Sequence, residues 1–183
     1  MNAPGPSRAA GSRLTDESFV AMCDAALRRT YGLAGYLLGD ATEAEDATQD
    51  AMDRAWRARG SLRDPAAFEG WLDRIVANVC RDRMRRRKLA RMVDLETGPE
   101  HEAADPFRAF LDRDALGHAL DALTPEQRIA VVLRFWRDLP LEEIATRLDW
   151  PLGTVESRLH HALAVMRVRL ERDVGAELRE TIQ

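Results

Sequence analysis

The pattern that most constrains this chain is a pair of apolar stripes separated by a three-residue break. Leu141, Ile144, Ala145 and Leu148 stand at i, i+3, i+4 and i+7, one face of a short helix. Asp149, Trp150 and Pro151 interrupt it, because Pro151 lacks an amide proton and biases Trp150 away from helical angles. A second stripe follows at Val155, Leu159, Ala162, Leu163, Met166 and Leu170. Helices joined by so short a turn cross, with both stripes facing a shared core. Thr154, Glu156, Ser157, Arg158, His160 and His161 are then left on the outer face near the start of the second helix. This is a helix-turn-helix pattern, in which the second helix enters the DNA major groove. Read by itself, the same pattern also fits a helical hairpin with a merely solvated polar face.

Upstream, the chain punctuates itself into further helices. Thr15 or Asp16 caps one that carries Phe19, Met22, Cys23, Ala26 and Leu27 and ends at Gly39-Asp40. Thr42 and Glu45 have the spacing of a capping box. The helix behind them buries Ala44, Ala47, Ala51, Met52, Ala55 and Trp56 and stops near Gly60. Asp64-Pro65 is a second start signal, ahead of Phe68, Trp71, Leu72, Ile75, Val76 and Val79, the strongest amphipathic series in the chain. Asp105-Pro106 restarts a helix with Phe107, Phe110, Leu111, Leu116, Leu120 and Leu123. Thr124-Pro125-Glu126-Gln127 opens another that buries Ile129, Val132, Leu133 and Trp136.

No strand-like alternation of useful length occurs, so the expected fold is all-α, two small helical domains on a flexible linker, the second holding the helix-turn-helix. The expected boundaries are a disordered tail over 1–14, a first domain over 15–91 and an acidic linker over 92–106. The second domain covers 107–171, and a fraying tail covers 172–183.

Charge is segregated along the chain. The net charge of −4 is awkward for a protein that binds DNA alone, since Lys and Arg on phosphates supply most non-specific affinity. Yet RDRMRRRKLAR, from Arg81 to Arg91, holds seven bases against one Asp, and DATEAEDATQDAMD, from Asp40 to Asp53, holds six carboxylates and no base. Such segregation implies two partners on two surfaces. The basic run could instead be a solubilising last turn that complements the helix dipole, but seven bases in eleven positions exceed that role. Cys23 and Cys80 sit singly among apolar helical positions and read as reduced core residues. No Gly-rich phosphate loop, nucleophile elbow or metal-ligand spacing appears, so neither an enzyme nor a metal or cofactor is expected. No apolar run is long enough to enter a membrane and the first residues lack a signal-peptide core, so a cytoplasmic protein is expected.

Three stretches together carry a resemblance: YLLGDATEAEDATQDAMDRAW, FEGWLDRIVANVCRDRMRRRK and LTPEQRIAVVLRFWRDLPLEEIATRLDWPLGTVESRLHHAL. In this order, over about Asp16 to Leu170, the chain resembles an extracytoplasmic-function sigma factor, the two-domain kind of bacterial sigma factor. The resemblance implies a subunit of RNA polymerase that recognises promoters and helps melt them. It implies that the acidic helix around Asp46, Gln49, Asp50 and Arg54 binds core RNA polymerase at the clamp coiled coil. The loop from Ser61 to Asp64, with Trp71, Arg74 and Asn78, would read the minus-10 single strand, and Arg81, Arg83, Arg85 and Arg86 would meet its phosphates. Trp71 lies on the apolar stripe and also reads as a core residue, and Asn78 as a solvated one. In the second domain, Glu156, Ser157, His160 and His161 fall at base-reading positions for the minus-35 duplex, with Thr154 and Arg158 nearer the phosphates.

Such proteins have a cognate anti-sigma factor, so one is implied here. Two residues depart from the family pattern. Pro140 stands where a Ser or Thr cap is usual, and Glu156 where many relatives carry a base. A carboxylate there repels phosphate but accepts from a cytosine amino group. The competing reading is an autonomous helix-turn-helix regulator, which leaves the charged faces of the first domain without a use.

Overall fold

The computed structural model describes residues 14–93 and 115–181, with side chains over 14–90 and 116–172. All regular structure among the described residues is helical. Helix α1 spans Asp16–Leu38, α2 Ala41–Ala58, α3 Phe68–Val93, α4 Ala115–Asp121, α5 Pro125–Val131, α6 Leu141–Leu148 and α7 Leu152–Thr181. Short 3-10 turns at Arg59–Ser61 and Pro65–Ala67 join α2 to α3, and a π turn at Val132–Trp136 ends α5.

The first three helices pack on one another around Phe19, Leu33, Leu37, Leu38, Leu72, Val76, Val79 and Cys80, all buried. Four alanines of α2, at 44, 47, 51 and 55, have no exposed surface, which lets α2 approach α1 and α3 closely. Phe19 anchors the open end: its ring centroid lies 5.9 Å from Phe68, 6.1 Å from Trp71 and 6.1 Å from Trp56. Helices α4 to α7 enclose a second core of Ala119, Leu120, Ile129, Leu133, Ile144, Leu148, Val155, Leu159 and Ala162.

Several start signals act as the sequence implies. Thr15 caps α1 by accepting from the Ser18 amide, Asp64 accepts from the Ala66 amide ahead of Pro65, and Thr124 with Gln127 forms a reciprocal capping box. The start of α2 differs. Gly39 is left-handed, at φ 70°, and sets Asp40 as the cap, its carboxylate accepting from the Glu43 amide at 2.8 Å. Thr42 therefore lies inside the first turn, and the Thr42–Glu45 capping box does not form there. The positive φ at Gly39 ends α1 and starts α2 two residues earlier than the T-x-x-E spacing suggests.

The stripes also need correction at their edges. Leu27, Trp56, Leu116 and Leu163 are exposed although the periodicity puts them on buried faces. Trp56 is covered on its outer side by Arg59, whose guanidinium stands 4.0 Å above the ring. Trp136 leaves the α5 stripe because the π turn adds a residue to the last turn, and its ring packs on Tyr36 of α1 with centroids 4.8 Å apart. Beyond Glu171 the chain does not fray within the described residues: α7 continues to Thr181, since Ala, Glu, Leu and Arg are strong helix formers whatever their polarity. Helix α3 runs to Val93, two residues into the expected linker. The rest of that linker and the helix start at Asp105-Pro106 lie outside the described residues.

Candidate nucleic-acid and partner surfaces

The acidic face of α2 is formed as a face. Asp46, Gln49, Asp50 and Arg54 are exposed, opposite the alanine stripe that packs inward. It is not, however, remote from the basic run. Arg83 on α3 pairs with Asp50 and, at 3.9 Å, with Asp46. Arg54 pairs with Asp82 at 3.9 Å, and Arg87 with Glu43 at 3.6 Å while donating to the Leu38 carbonyl. Charges that are segregated along the chain are thus laced together in space, and Arg83 is occupied.

The loop before α3 is held by its own neighbours. Trp71 lies half-buried against Phe19 and Phe68, and its indole nitrogen donates to Ser61 Oγ at 3.3 Å. Its ring is part of the aromatic cluster, while its polar tip positions the exposed Ser61. Arg74 is exposed and Asn78 half-buried. Of the four arginines assigned to phosphates, Arg86 is exposed with no ion pair among the described residues. Arg85 is paired with Glu126 of α5, and Arg81 has a buried Nε with no acceptor.

In the helix-turn-helix, α6 ends at Asp149, which adopts a left-handed φ of 56°, and the Trp150 amide returns to the Ala145 carbonyl at 2.9 Å. Asp is one of the few non-glycine residues that tolerate this conformation. Pro151 then opens α7, its carbonyl accepting from Thr154 and Val155. Val155, Leu159 and Ala162 are buried, while Glu156, Ser157, His160 and His161 are exposed and Thr154 is half-buried. His161 Nδ1 donates to the Ser157 carbonyl at 2.6 Å, which fixes the ring against the preceding turn of α7. Arg158, expected nearer the phosphates, is half-buried here. Its guanidinium stacks 3.9 Å over Trp150, one Nη is buried without a partner, and burial pushes it below its ordinary pKa against the pull of Glu126. Trp150, in the turn just before α7, supplies the flat apolar platform, while Glu126 and Arg81 are the charges that act on the guanidinium.

The contact between the two helical units is one the sequence did not announce. Asp73 of α3, only 3% exposed, receives Arg137 at 3.0 and 3.2 Å and also Arg147 of α6, which in turn pairs with Glu143. Arg128 of α5 is buried, donating to the Tyr36 carbonyl of α1 at 3.2 Å and to Asp121 at 2.7 Å. In the sequence Asp73 stands beside Arg74, between Leu72 and Ile75, and nothing in that spacing marks it as an acceptor for Arg137 or Arg147.

Comparison with known proteins agrees with this architecture. Residues 22–90 match the family model of sigma-70 region 2, and residues 113–166 that of sigma-70, region 4. The RNA polymerase sigma-E factor of Streptomyces antibioticus is 36% identical over 158 residues, covering 86% of this chain and 85% of that protein. The ECF RNA polymerase sigma factor SigL of Mycobacterium tuberculosis is 34% identical over 139 residues, 74% of this chain and 78% of that one. Among solved structures, the sigma factor RpoE of Bartonella quintana, crystallised with the anti-sigma factor NepR, superposes with a TM-score of 0.67 at 25% identity, over 85% of this chain and 98% of that one. With both regions matched in order and relatives aligned over most of their length, the chain belongs to the sigma-70 family, as an RNA polymerase sigma factor of the extracytoplasmic-function type.

Proposed function

We propose that this protein binds core RNA polymerase through the exposed face of α2, at Asp46, Gln49, Asp50 and Arg54, and directs it to promoters. The observation that carries this reading is the order of a matched region 2 and a matched region 4 on one chain, which an autonomous helix-turn-helix regulator does not need. Ser61, Arg74 and Asn78 meet the opened minus-10 strand, and Arg86 its phosphates; Glu156, Ser157, His160 and His161 read the minus-35 duplex. It acts in the cytoplasm, carries out no covalent chemistry and needs no metal or cofactor. Its regulator is an anti-sigma factor, as the complex of the Bartonella protein suggests. Among the described residues no helix is long and apolar enough to cross a membrane. The test is transcription from a promoter library by core polymerase with and without the chain. Promoter-specific transcripts are expected only when both are present, and specific DNA binding by the free chain alone would favour the autonomous regulator.

The recognition helix makes a narrower prediction. Glu156 is exposed and its carboxylate is an acceptor, which suits the amino groups of cytosine and adenine. Glu156→Arg replaces an acceptor with a bidentate donor suited to guanine. A good bidentate contact discriminates by about 1–3 kcal/mol, so the selected minus-35 sequence should change while core binding is retained. An unchanged selection would remove Glu156 from the base-reading face.

The basic extension makes another. Arg86→Ala should flatten the salt dependence of open-complex formation by a log–log slope of about 0.7–0.9 for each phosphate that is no longer neutralised. Arg83→Ala should change that slope less, because Arg83 is held by Asp46 and Asp50. Equal effects of the two would show that the ion pairs of Arg83 do not keep it from DNA.

A further inference from the structure

At the end of α2 an arginine is laid over a tryptophan and pinned there. Arg59 Cζ stands 4.0 Å from the centroid of the Trp56 ring. Its Nε and Nη2 donate to the two carboxylate oxygens of Asp16 at 2.8 and 3.4 Å, and its Nη1 donates to the Trp56 carbonyl at 2.9 Å. Two nitrogens held by one carboxylate fix the plane of a guanidinium as well as its position. Behind Trp56 lies the buried ring of Phe19, 6.1 Å away. The stack is nevertheless open to solvent: Trp56 is 39% exposed and the Arg59 side chain 35%. A flat, immobilised, solvent-facing cation on an aromatic backing is more than a tie between α1 and α2 needs, since the ion pair with Asp16 makes that tie without the ring.

We infer that Arg59, spread over Trp56, is a stacking platform for one unpaired base of the opened minus-10 strand. Guanidinium planes and aromatic rings are the surfaces on which unpaired bases stack. The platform adjoins the loop that carries Ser61. Arg59 and Ser61 share one 3-10 turn, closed by the Leu62 amide donating to the Arg59 carbonyl at 3.1 Å. Between them a Cβ on Gly60 would meet nothing within 4 Å, so the ledge from Arg59 to Ser61 is clear. Both ends of the ledge rest on one buried ring: Trp71, whose indole donates to Ser61, flanks Phe19 at the same 6.1 Å as Trp56. Hydrogen bonding from Arg59 holds the Asp16 carboxyl below its ordinary pKa, so Asp16 is ionised at neutral pH and offsets the charge of Arg59. That makes Arg59 a poor clamp for phosphate and leaves its flat outer face as what it presents. The platform rests on the minus-10 reading proposed above and adds to it a contact that holds a base without reading it, since every base has a π face.

The test uses holoenzyme, the full chain with core polymerase, and a forked promoter DNA in which one strand of the minus-10 element is unpaired. Each unpaired position in turn carries an abasic residue, and DNA retention is titrated. With the wild type, one position beside the base met by Ser61 should lose roughly 5- to 150-fold in affinity when its base is removed. Exchanging the four bases at that position should change affinity little, because stacking tolerates any base. With Arg59→Ala the abasic residue at that position should have no further effect, and intact DNA should bind as weakly as abasic DNA binds the wild type. Arg59→Lys keeps the charge and loses the plane, so it should behave as Arg59→Ala does while keeping the wild-type salt slope.

Circular dichroism and core binding should match the wild type in both variants, because Arg59 lies beyond the face formed by Asp46, Gln49, Asp50 and Arg54. A lower melting temperature in Arg59→Ala, with every abasic position keeping its wild-type effect, would make the pair a strut between α1 and α2 and overturn the platform. Full coupling retained by Arg59→Lys would show that a charge and not a plane holds the base, and would overturn it too. A wild-type holoenzyme that does not retain the forked DNA would refute the function proposed above and the platform with it, whereas retention with no Arg59-dependent position would refute the platform alone.

Discussion

Reversing two charges on α2, Asp46→Arg with Asp50→Arg, is expected to abolish binding to core RNA polymerase. Both side chains are exposed on the face opposite Ala44, Ala47, Ala51 and Ala55, so the helix keeps its packing. Like charges juxtaposed across a protein interface cost several kcal/mol, so the double reversal should weaken binding by roughly a thousandfold or more. Asp50 also holds Arg83, which makes Arg83→Ala the necessary control. That variant removes the intramolecular pair without reversing the face, and it should bind core nearly as the wild type does. Binding would be followed by fluorescence anisotropy, with helicity checked by circular dichroism. Native affinity in the double reversal would show that polymerase docks elsewhere, and an equal effect of Arg83→Ala would show that the pair, not the face, matters.

Phe19→Ala is expected to give the largest loss of stability of any single substitution in the first three helices. The ring is 2% exposed and meets Phe68 edge-on at 90° and Trp71 at 77°. Truncating a buried Phe removes its transfer energy and leaves a cavity, together about 3–5 kcal/mol. Small domains are stable by only about 5–15 kcal/mol, so much of the margin would go. The consequence should extend to function, because Trp71 rests on Phe19 and positions Ser61. Urea unfolding of the full chain should show the transition of the first three helices shifted to lower denaturant, with that of α4 to α7 changed much less. A midpoint shift equivalent to less than about 1 kcal/mol would mean that the cluster rearranges to fill the space.

The sequence by itself determined the helices and their inward faces. The stripes of α3, α6 and α7 recur at helical spacing and bury Phe68, Leu72, Val76, Ile144, Val155 and Leu159. The caps at Asp64 and Thr124 are local contacts, made by a side chain to an amide two or three residues away, and such contacts are complete in any short window. Where two local signals competed, at Asp40 and Thr42, the left-handed Gly39 decided which became the cap.

Only the tertiary structure decided what the charged residues do. Arg83, Arg85, Arg137 and Arg147 look alike in the sequence as exposed bases. Each has a partner far along the chain, 33, 41, 64 and 74 residues away, although Arg147 also pairs with Glu143 one helical turn back. The same holds for Trp136, whose stripe position implied the core of its own unit until the π turn carried it to Tyr36 and Gly32 of α1. Helical periodicity reports which way a side chain points relative to its own axis. It carries nothing about which distant carboxylate arrives in front of it, because an ion pair depends on the packing of whole helices, which the spacing along one helix does not encode.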